Sequence, residues 1–337
     1  MKKNVSLKDI AAELGVSPSL VSYVLNGHAK KKRVADDVAQ RVIATAKKLH
    51  YHPNQIAKSL KTNKTHTIGL IVADIHYRFT TGVTRAIEAA AKKNNYTVFI
   101  GNTHEDLQTL SELIQALIQR QVDGLIIAAV ENSEQIIKYL KGREVPFVLI
   151  DRNFPKVKTN FIGIDNYRVA YKATDYLIRR RFKCIAFINY QTSFFHLHER
   201  DRGYLQALKD GGVEPDPGLH KKIRKSHYSD DVKNAIAELV SHSSSCDAIF
   251  FATDTLAITG LKNIIDLKVR VPGDMAVISF DESETFGLFE CPVTHFKQPL
   301  EEMGIAAVDL LFDVMKEGKR KQILLESKLV VGKSCGE

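Results

Sequence analysis

From Thr67 onward, short apolar runs alternate along the chain with longer amphipathic segments. The first runs are TIGLIVAD, YTVFIGN, DGLIIAA and PFVLID, separated by helix-like stretches near residues 80–93, 106–121 and 133–142. Runs that are apolar at nearly every position indicate parallel strands covered on both faces of a sheet. The pattern repeats after Phe161 with FIGID, CIAFIN, DAIFFAT and MAVISFD. We therefore expect an α/β fold with two doubly wound parallel-sheet lobes and a ligand cleft outside the strand carboxyl ends.

Residues 1–64 carry the whole net charge of the chain. They hold 13 Lys and Arg against four acids, whereas residues 65–337 hold 35 of each sign. A basic charge concentrated on one small module supplies the phosphate-neutralising part of nucleic-acid affinity. A charge block alone is equally compatible with a solvated tail, so the apolar pattern within it has to decide.

That pattern predicts a helix-turn-helix unit. Ser6 and Asp9 form a reciprocal cap for a helix over residues 7–14, and Gly15 permits a tight turn. Ser17 and Pro18 then start a second helix, as a capping hydroxyl and a proline at the first helical position. A third helix over roughly residues 35–49 places Val38, Val42, Ile43, Ala46 and Leu49 at helical spacing. We expect residues 1–50 to form an all-α DNA-binding headpiece whose second helix enters the major groove.

The run SLKDIAAELGVSPSLVSYVLNG, and after it ATAKKLHYHPNQIAKSLKTNKTHTIGLIVADI, resembles the LacI/GalR family of bacterial transcription regulators. The resemblance continues in a fixed order over nearly the whole chain through VDGLII, VPFVLIDR, IGIDN, ERDRGYLQAL, FATDTLAITGL, RVPGDMAVISFDE and QPLEEMGIAAVDLL. It implies two lobes of periplasmic-binding-protein type over residues 65–337. The lobe boundaries that we expect are about 65–160 with 292–320, and about 161–291 with 321–337, because the chain of such proteins crosses between lobes three times.

Residues 51–64 are expected to form a hinge helix and linker. Pro53 can open a short helix that carries Ala57 and Leu60 on one side. The resemblance implies that two such helices meet in the minor groove and that Leu60 inserts between base steps, which kinks the DNA. A flexible basic linker is the alternative. The predicted DNA-binding residues are Ser6, Leu7, Ser17, Pro18, Ser19, Ser22, Tyr23, Asn26, Lys30, Lys31, Lys32, Arg33, Asn54, Ala57, Lys58 and Leu60.

Two departures from the family concern operator recognition. Tyr23 stands where relatives commonly place an arginine, and a tyrosine makes no bidentate contact to guanine, so we expect a different base there. The run from Lys30 to Arg33 predicts additional phosphate contacts, which position a protein on DNA without reading its sequence.

Polar residues at strand ends are the candidates for the effector cleft. The predicted effector-binding residues are Asp74, Phe79, Asp151, Arg152, Arg200, Tyr228, Thr253 and Asp281. A carboxylate beside an arginine grips sugar hydroxyls, and the resemblance implies effector contacts for Asp151, Arg200, Thr253, Asp281 and the aromatic Phe79. Tyr228 is suited to stack on a sugar ring, although a lone tyrosine more often packs elsewhere.

Two further aspartates and one arginine at the cleft have competing interpretations. Asp165 and Asp254 are predicted to cap the helices that follow them. Arg78 brings a positive charge to the cleft mouth, which favours an anionic effector such as a sugar phosphate or uronic acid, unless its side chain points to solvent.

Other chemistry finds little support in the sequence. His196 and His198 in HLHE lack a third spaced ligand for a metal, and GKS at 332–334 lacks the upstream glycine of a phosphate-binding loop. Neither G-x-S-x-G nor G-x-G-x-x-G occurs, so we expect no enzyme and no cofactor. Four scattered cysteines suit reduced thiols, and the lack of a signal-like or membrane-spanning run suits the cytoplasm.

The sequence thus predicts a regulator, most simply a repressor, that binds a pseudo-palindromic operator as a homodimer and responds to a small effector, a sugar or sugar derivative. Two alternatives remain open: a regulator controlled by a protein co-effector, as in catabolite control proteins that resemble this family, and a sugar-binding module without a DNA function.

Overall fold

The computed structural model describes residues 5–51, 64–241, 246–318 and 320–336. The chain divides into two compact units, Met1–Thr65 and His66–Glu337. Pro53, Asn54, Ala57, Lys58 and Leu60, on which the hinge prediction depends, lie outside the described residues.

The first unit contains the three helices that the sequence predicts: α1 (Leu7–Leu14), α2 (Pro18–Leu25) and α3 (Asp36–Lys48). The Ser6 backbone N–H and hydroxyl both donate to the Asp9 carboxylate, at 2.7 and 2.8 Å. Gly15 ends α1 in the left-handed region, at φ 65°, where a glycine carries no steric penalty. The Ser17 hydroxyl accepts from the Leu20 N–H at 3.2 Å, so the predicted cap of α2 is confirmed.

One apolar stripe from each helix closes the small core of this unit. Its buried members are Ile10, Ala11, Val21, Val24, Val42 and Ala46. Ile43 was expected in the same core, but it is 54% exposed because it directly follows the buried Val42 and so points away from the other helices.

The second unit begins with alternating strands and helices. In chain order they are β1 (Thr67–Val72), α4 (Arg78–Lys93), β2 (Thr97–Asn102), α5 (Leu107–Gln119), β3 (Gly124–Ile127), α6 (Glu134–Gly142), β4 (Phe147–Ile150) and β5 (Phe161–Ile164). β1, β3, β4 and β5 are apolar and almost wholly buried, as strands between two helical layers must be.

The alternation then repeats. The elements are α7 (Asn166–Arg179), β6 (Ile185–Tyr190), α8 (Phe195–Asp210), β7 (His220–Ile223), α9 (Tyr228–Ser241), β8 (Ala248–Phe251), α10 (Asp254–Asp266) and β9 (Ala276–Phe280). The chain finishes with β10 (Thr294–Lys297), α11 (Leu300–Glu317), β11 (Gln322–Leu325) and β12 (Lys328–Val330).

These strands form two six-stranded sheets, which confirms the predicted fold class. The first sheet has the order β11-β5-β4-β3-β1-β2 and is parallel throughout. The second has the order β12-β10-β9-β8-β6-β7, with only β12 antiparallel to its neighbour. Within the described residues, no helix combines the length and the apolar character that crossing a membrane requires.

The expected lobe boundaries are wrong in three places. β5 was expected to open the second lobe, but Leu149 of β4 pairs with Phe161, so β5 belongs to the first sheet. The chain was expected to return to the first lobe after about Cys291, but β10 still pairs with β9, and the return begins at α11. β11, expected in the second lobe, pairs with β5 in the first sheet. An apolar run predicts a buried strand, but it does not show to which sheet the neighbouring strand belongs.

Candidate functional site

A cavity of about 130 Å³ lies in the second unit, where strands of both sheets end. Asp151 directly follows β4, Thr253 and Asp254 follow β8 closely, and Asp281 directly follows β9. The carboxyl ends of parallel strands meet at one edge of each sheet, so residues distant in sequence converge there. Of the predicted effector-binding residues, six line this cavity: Phe79, Asp151, Arg152, Arg200, Thr253 and Asp281.

Two predicted residues do not line it. The Asp74 carboxylate accepts from the His76 N–H at 2.9 Å and pairs with its ring at 2.8 Å. Tyr228 is the first residue of α9 and is exposed, so it does not stack over the cavity. Both follow strands in the sequence, but contacts with His76 engage the Asp74 carboxylate, and Tyr228 lies five positions beyond the end of β7.

Arg200 is the buried centre of the cavity wall. It projects from α8, where its Nε donates to Asn166 Oδ1 at 2.9 Å and its Nη1 donates to the Ala252 carbonyl at 2.5 Å. Its guanidinium carbon lies 3.4 Å from the centroid of the Phe280 ring, and its Nη1 lies 4.0 Å from Asp281 Oδ2. Hydrogen bonds and stacking together hold a buried guanidinium in one orientation.

Asp151 and Asp281 occupy matching positions after their strands. Both have a left-handed backbone, with φ of 66° and 70°, which a side chain adopts only at some energetic cost and which is concentrated at binding sites. Burial raises the pKa of Asp151 to about 6, and the negative charge of Asp281 adds to that rise. Burial also raises the pKa of Asp281, whose Oδ1 accepts from Gln298 Nε2 at 2.6 Å.

The two predicted helix caps have different outcomes. Asp165 caps α7, because its carboxylate accepts from the Arg168 N–H at 2.9 Å. The prediction for Asp254 is wrong: the hydroxyl of Thr253 caps α10 by accepting from the Leu256 N–H at 3.3 Å. Asp254 instead lines the cavity, and burial followed by the charge of Asp281 raises its pKa to about 6. A threonine before an aspartate offers two adjacent candidates for one cap, which the sequence does not rank.

Arg152 is held by a residue that the sequence analysis missed. Its two terminal nitrogens each donate to a Glu105 oxygen at 2.8 Å, and Lys225 reaches the same carboxylate at 2.7 Å. The guanidinium also stacks on Phe194, 4.4 Å from the ring centroid. Burial alone raises the pKa of Glu105, but the hydrogen bonds and charges of Arg152 and Lys225 outweigh it and lower the pKa to about 2.

Arg78 neither points to solvent nor is available to an anion. The side chain lines the cavity, yet its guanidinium pairs with Glu282 at 3.2 Å and with Glu284 at 3.0 Å. These contacts join the start of α4 to the segment after β9, and therefore the two lobes. Glu131 makes a further link of this kind, because it accepts from the Thr192 hydroxyl at 2.8 Å and from the Ser193 N–H.

Several other cavity residues were not identified from sequence. They are Tyr77, Tyr190, Phe194, His196, Leu197, Gln298 and Leu300. His196 and Gln298 stand in segments that the sequence analysis singled out, HLHE and QPLEEM, but with other roles. Burial lowers the pKa of His196 well below its usual value, as do the charges of Arg200 and Arg152, so its ring is neutral.

The headpiece presents the predicted DNA-binding residues as follows. Pro18 and Ser19 are exposed at the start of α2, and Tyr23 is 37% exposed. The Asn26 amide donates to the Ser22 carbonyl at 2.7 Å, and Ser6 and Ser17 serve as caps, while Leu7 packs against the headpiece core. Lys30, Lys31, Lys32 and Arg33 are exposed, and the Lys32 ammonium lies 5.1 Å from the Tyr23 ring centroid.

The fold and the two sites define a two-part binding protein: a helix-turn-helix headpiece joined to a two-lobed domain with a small-molecule cleft. Comparison with known proteins identifies both parts. The family described as bacterial regulatory proteins, lacI family, matches residues 6–54, and a periplasmic binding protein-like domain matches residues 174–335.

Relatives match almost the whole chain. The HTH-type transcriptional repressor PurR of Aliivibrio fischeri (strain MJ11) is 30% identical, over 95% of each chain. The HTH-type transcriptional regulator RegA of Clostridium saccharobutylicum is 28% identical, over 96% of this chain and 97% of that one.

Solved structures agree in fold. The complex of the transcriptional regulator CelR with cellobiose is 26% identical with a TM-score of 0.72, over 98% of this chain and 100% of that one. The Lac repressor dimer bound to operator and the anti-inducer ONPF is 21% identical with a TM-score of 0.88, over 99% of this chain and 100% of that one.

The chain belongs to the lacI family of bacterial regulatory proteins. It is a DNA-binding transcriptional regulator with a ligand-binding domain, and its relatives are regulators rather than enzymes.

Proposed function

We propose that this protein is a sequence-specific repressor that binds a pseudo-palindromic operator as a homodimer and is controlled by a small sugar or sugar derivative in the inter-lobe cavity. The observation that carries the effector proposal is the convergence of Asp151, Arg200 and Asp281 from three separate elements on one enclosed cavity. A carboxylate accepts two sugar hydroxyls, and a fixed guanidinium donates to the hydroxyl oxygens, so this set suits a polyhydroxylated ligand.

Aromatic residues complete the support for a sugar. Phe79 and Tyr190 line the cavity between the charged groups. An aromatic ring packs on the apolar face of a sugar while the polar groups hold its edge. The similar regulator CelR was solved in complex with cellobiose, which is a sugar.

The homodimer proposal rests on the outer edge of the first sheet. β2 is the last strand of that sheet, and its residues Phe99 and Ile100 are 46% and 47% exposed. An exposed edge strand with adjacent large apolar side chains is a surface that proteins normally cover. A second copy of the chain would cover it and would bring two headpieces to two half-sites.

The DNA-binding part of the proposal uses the second helix and the basic loop. Pro18, Ser19 and Tyr23 are accessible at the helix that reads the major groove, and Lys30, Lys31, Lys32 and Arg33 are accessible for phosphates. A hinge helix with Leu60 in the minor groove remains a proposal on residues outside the described part. A cytoplasmic location belongs to the same proposal, because a bacterial regulator meets its operator there.

The effector controls DNA binding through thermodynamic coupling between the effector site and the operator site. An effector that favours the lobe arrangement in which the hinges separate must bind the DNA-free protein more tightly than the operator complex. The rival is control by a protein co-effector, which would bind the outer surface of the domain rather than the cavity. Melting-temperature shifts caused by small molecules alone favour the effector in the cleft.

The decisive experiment is selection of bound sites from random duplex DNA by the full-length protein, followed by sequencing. An enriched palindrome with a flexible central pyrimidine–purine step supports dimeric readout. Salt-sensitive binding without enrichment contradicts specific recognition by the protein alone. Deletion of residues 1–64 should abolish DNA binding and leave effector affinity unchanged, whereas loss of effector binding in that variant would contradict separate sites.

A further inference from the structure

We propose that the effector carries a protonated amine together with its hydroxyl groups, as an amino sugar does, and that an anionic sugar is excluded. The proposal rests on the effector role of the inter-lobe cavity given above and names the chemical class of the ligand. It replaces the anionic effector that Arg78 alone suggested.

The first argument is the charge of the cavity wall. Among its described lining residues are six carboxylates and four cations, and His196 is neutral. The carboxylates are Glu105, Glu131, Asp151, Asp254, Asp281 and Glu282, and the cations are Arg78, Arg152, Arg200 and Lys225. The wall therefore has a net negative charge, which attracts a cation and repels an anion in a partly desolvated cleft.

The second argument is that the cations are already engaged. Arg152 and Lys225 both bind Glu105, and Arg78 binds Glu282. Arg200 donates to an amide oxygen and to a backbone carbonyl, and it faces Asp281. A phosphate or carboxylate ligand would have to compete with these partners, because each of the four cations already faces a carboxylate.

The third argument is a surplus of hydrogen-bond acceptors. Among the described residues, the Asp151 carboxylate has the Arg152 Nε at 3.7 Å as a charged neighbour but no hydrogen-bond donor. The buried acceptor Gln298 Oε1 has no hydrogen-bond partner within the described chain, and neither has the ring nitrogen Nδ1 of His196, which is a donor or an acceptor according to its tautomer. Buried acceptors without donors are costly, so the ligand that fits here brings donors. An ammonium group has three donors and no acceptor.

The fourth argument is the placement of two aromatic rings beside these carboxylates. Phe79 and Tyr190 line the same cavity, whereas the rings of Phe194 and Tyr77 already lie under Arg152 and Lys225, at 4.4 and 6.0 Å. Ring faces attract cations, and an amine between a ring and a carboxylate gains from both. Burial has raised the pKa of Asp151 and of Asp254, which agrees with incomplete compensation of their negative charges.

The test uses matched sugars that differ in one group. Isothermal titration and thermal melting of the full-length protein are carried out with glucosamine, galactosamine and mannosamine, with their parent hexoses, and with glucuronate, galacturonate and glucose 6-phosphate. We expect at least one amino sugar to bind about tenfold more tightly than its parent, since a charge-assisted hydrogen bond exceeds a neutral one by about 1.4 kcal/mol, which corresponds to tenfold in affinity. No anionic sugar should bind.

The outcomes separate this inference from the proposed function. A parent hexose that binds as tightly as its amino sugar overturns the amine and leaves the sugar effector standing. A glucuronate or phosphate that binds more tightly than both overturns the charge argument. If no sugar of the panel binds at about 10 mM, a concentration tenfold above a Kd of 1 mM, both the amine and the sugar effector are overturned. The operator selection still tests the regulator itself.

Two variants refine the result. Asp254→Asn removes one carboxylate from the wall and should reduce the preference for the amino sugar over its parent by about tenfold. The matched control is Asp165→Asn, an exposed helix cap outside the cavity, which should leave that preference unchanged. An unchanged preference in Asp254→Asn overturns the assignment of the amine to this carboxylate cluster.

Discussion

Replacing Asp151 by asparagine should stabilise the effector-free protein at neutral pH. The carboxylate is 14% exposed, and burial together with the charge of Asp281 raises its pKa from 3.8 to about 6. One pKa unit corresponds to about 1.4 kcal/mol, so a rise of about two units means that ionised Asp151 lowers the free energy of unfolding by about 3 kcal/mol. Asparagine has nearly the same shape and resembles the protonated acid, so it removes that penalty.

The sign of the pH dependence follows from the same shift. Because the folded-state pKa is raised, the folded protein binds more protons than the unfolded one between about pH 4 and pH 6. The contribution of Asp151 is therefore most favourable below pH 4, and it is lost as the pH rises through 6. The advantage of Asp151→Asn should be largest at pH 7 and should vanish near pH 4.

Scanning calorimetry at pH 7 and at pH 4.5 checks both statements. For a domain of this size, 3 kcal/mol corresponds to a rise in Tm of roughly 5 °C at pH 7. Asp165→Asn is the control, since asparagine caps a helix as well as aspartate and no change is expected. Effector affinity should fall in Asp151→Asn although the protein is more stable. A lower or unchanged Tm at pH 7, with the control unchanged, refutes the claim that this carboxylate is poorly compensated.

Three further substitutions test other parts of the structure. Glu105→Gln leaves Arg152 and Lys225 without their counter-ion and should lower the free energy of unfolding by about 3 kcal/mol at pH 7. Because the pKa of Glu105 is lowered to about 2, this difference should disappear as the pH falls from 4.5 toward 2. Equal melting temperatures of the two proteins at pH 7 would contradict this prediction. Replacing residues 30–33 by alanine should reduce the steepness of the plot of log DNA affinity against log salt concentration by about 3 to 4, if each side chain contacts one phosphate. Fluorescence anisotropy measures this slope, and an unchanged slope would contradict the predicted phosphate contacts. Ile100→Lys adds a charge to the exposed edge of β2 and should therefore shift the sedimentation coefficient from that of a dimer to that of a monomer, without changing the melting temperature. A variant that remains dimeric would contradict an interface at this strand.

The sequence predicted local structure well where the signals are local. The helices α1 and α2 begin at the predicted caps Ser6 and Ser17, α1 ends at Gly15, and the helix predicted near residues 133–142 is Glu134–Gly142. Capping hydroxyls, a glycine in the left-handed region and apolar periodicity act within a few residues, so they can be identified without tertiary contacts.

The partners of the cleft residues could not be predicted in this way. Arg152 was expected at the effector, but Glu105, 47 positions earlier, binds it with both oxygens. Arg78 was read as a free charge, but Glu282 and Glu284 neutralise it from the other lobe. A single sequence shows which charged residues are present but not which of them form ion pairs. These ion pairs determine the electrostatic character of the site.

The placement of strands in sheets was limited for the same reason. β5 was predicted as a strand but was expected in the wrong lobe, and the residues of β10 and β11 were assigned to the wrong lobes without being predicted as strands. The cap of α10 shows the same limit for two neighbouring residues. Thr253 and Asp254 can both adopt the backbone angles of a capping residue, so the sequence does not tell which of them caps the helix.

The final crossing between the lobes determines how the cleft can open. β11 is the outermost strand of the first sheet and β12 that of the second, and only Glu326 and Ser327 lie between them. Such a short connection limits how far the two sheets can separate at this margin, so a motion that opens the cleft would turn about it. The displacement then grows toward the opposite margin, where β2 and β7 lie. A small turn at this connection would therefore move the exposed surface of β2 farthest relative to the second lobe.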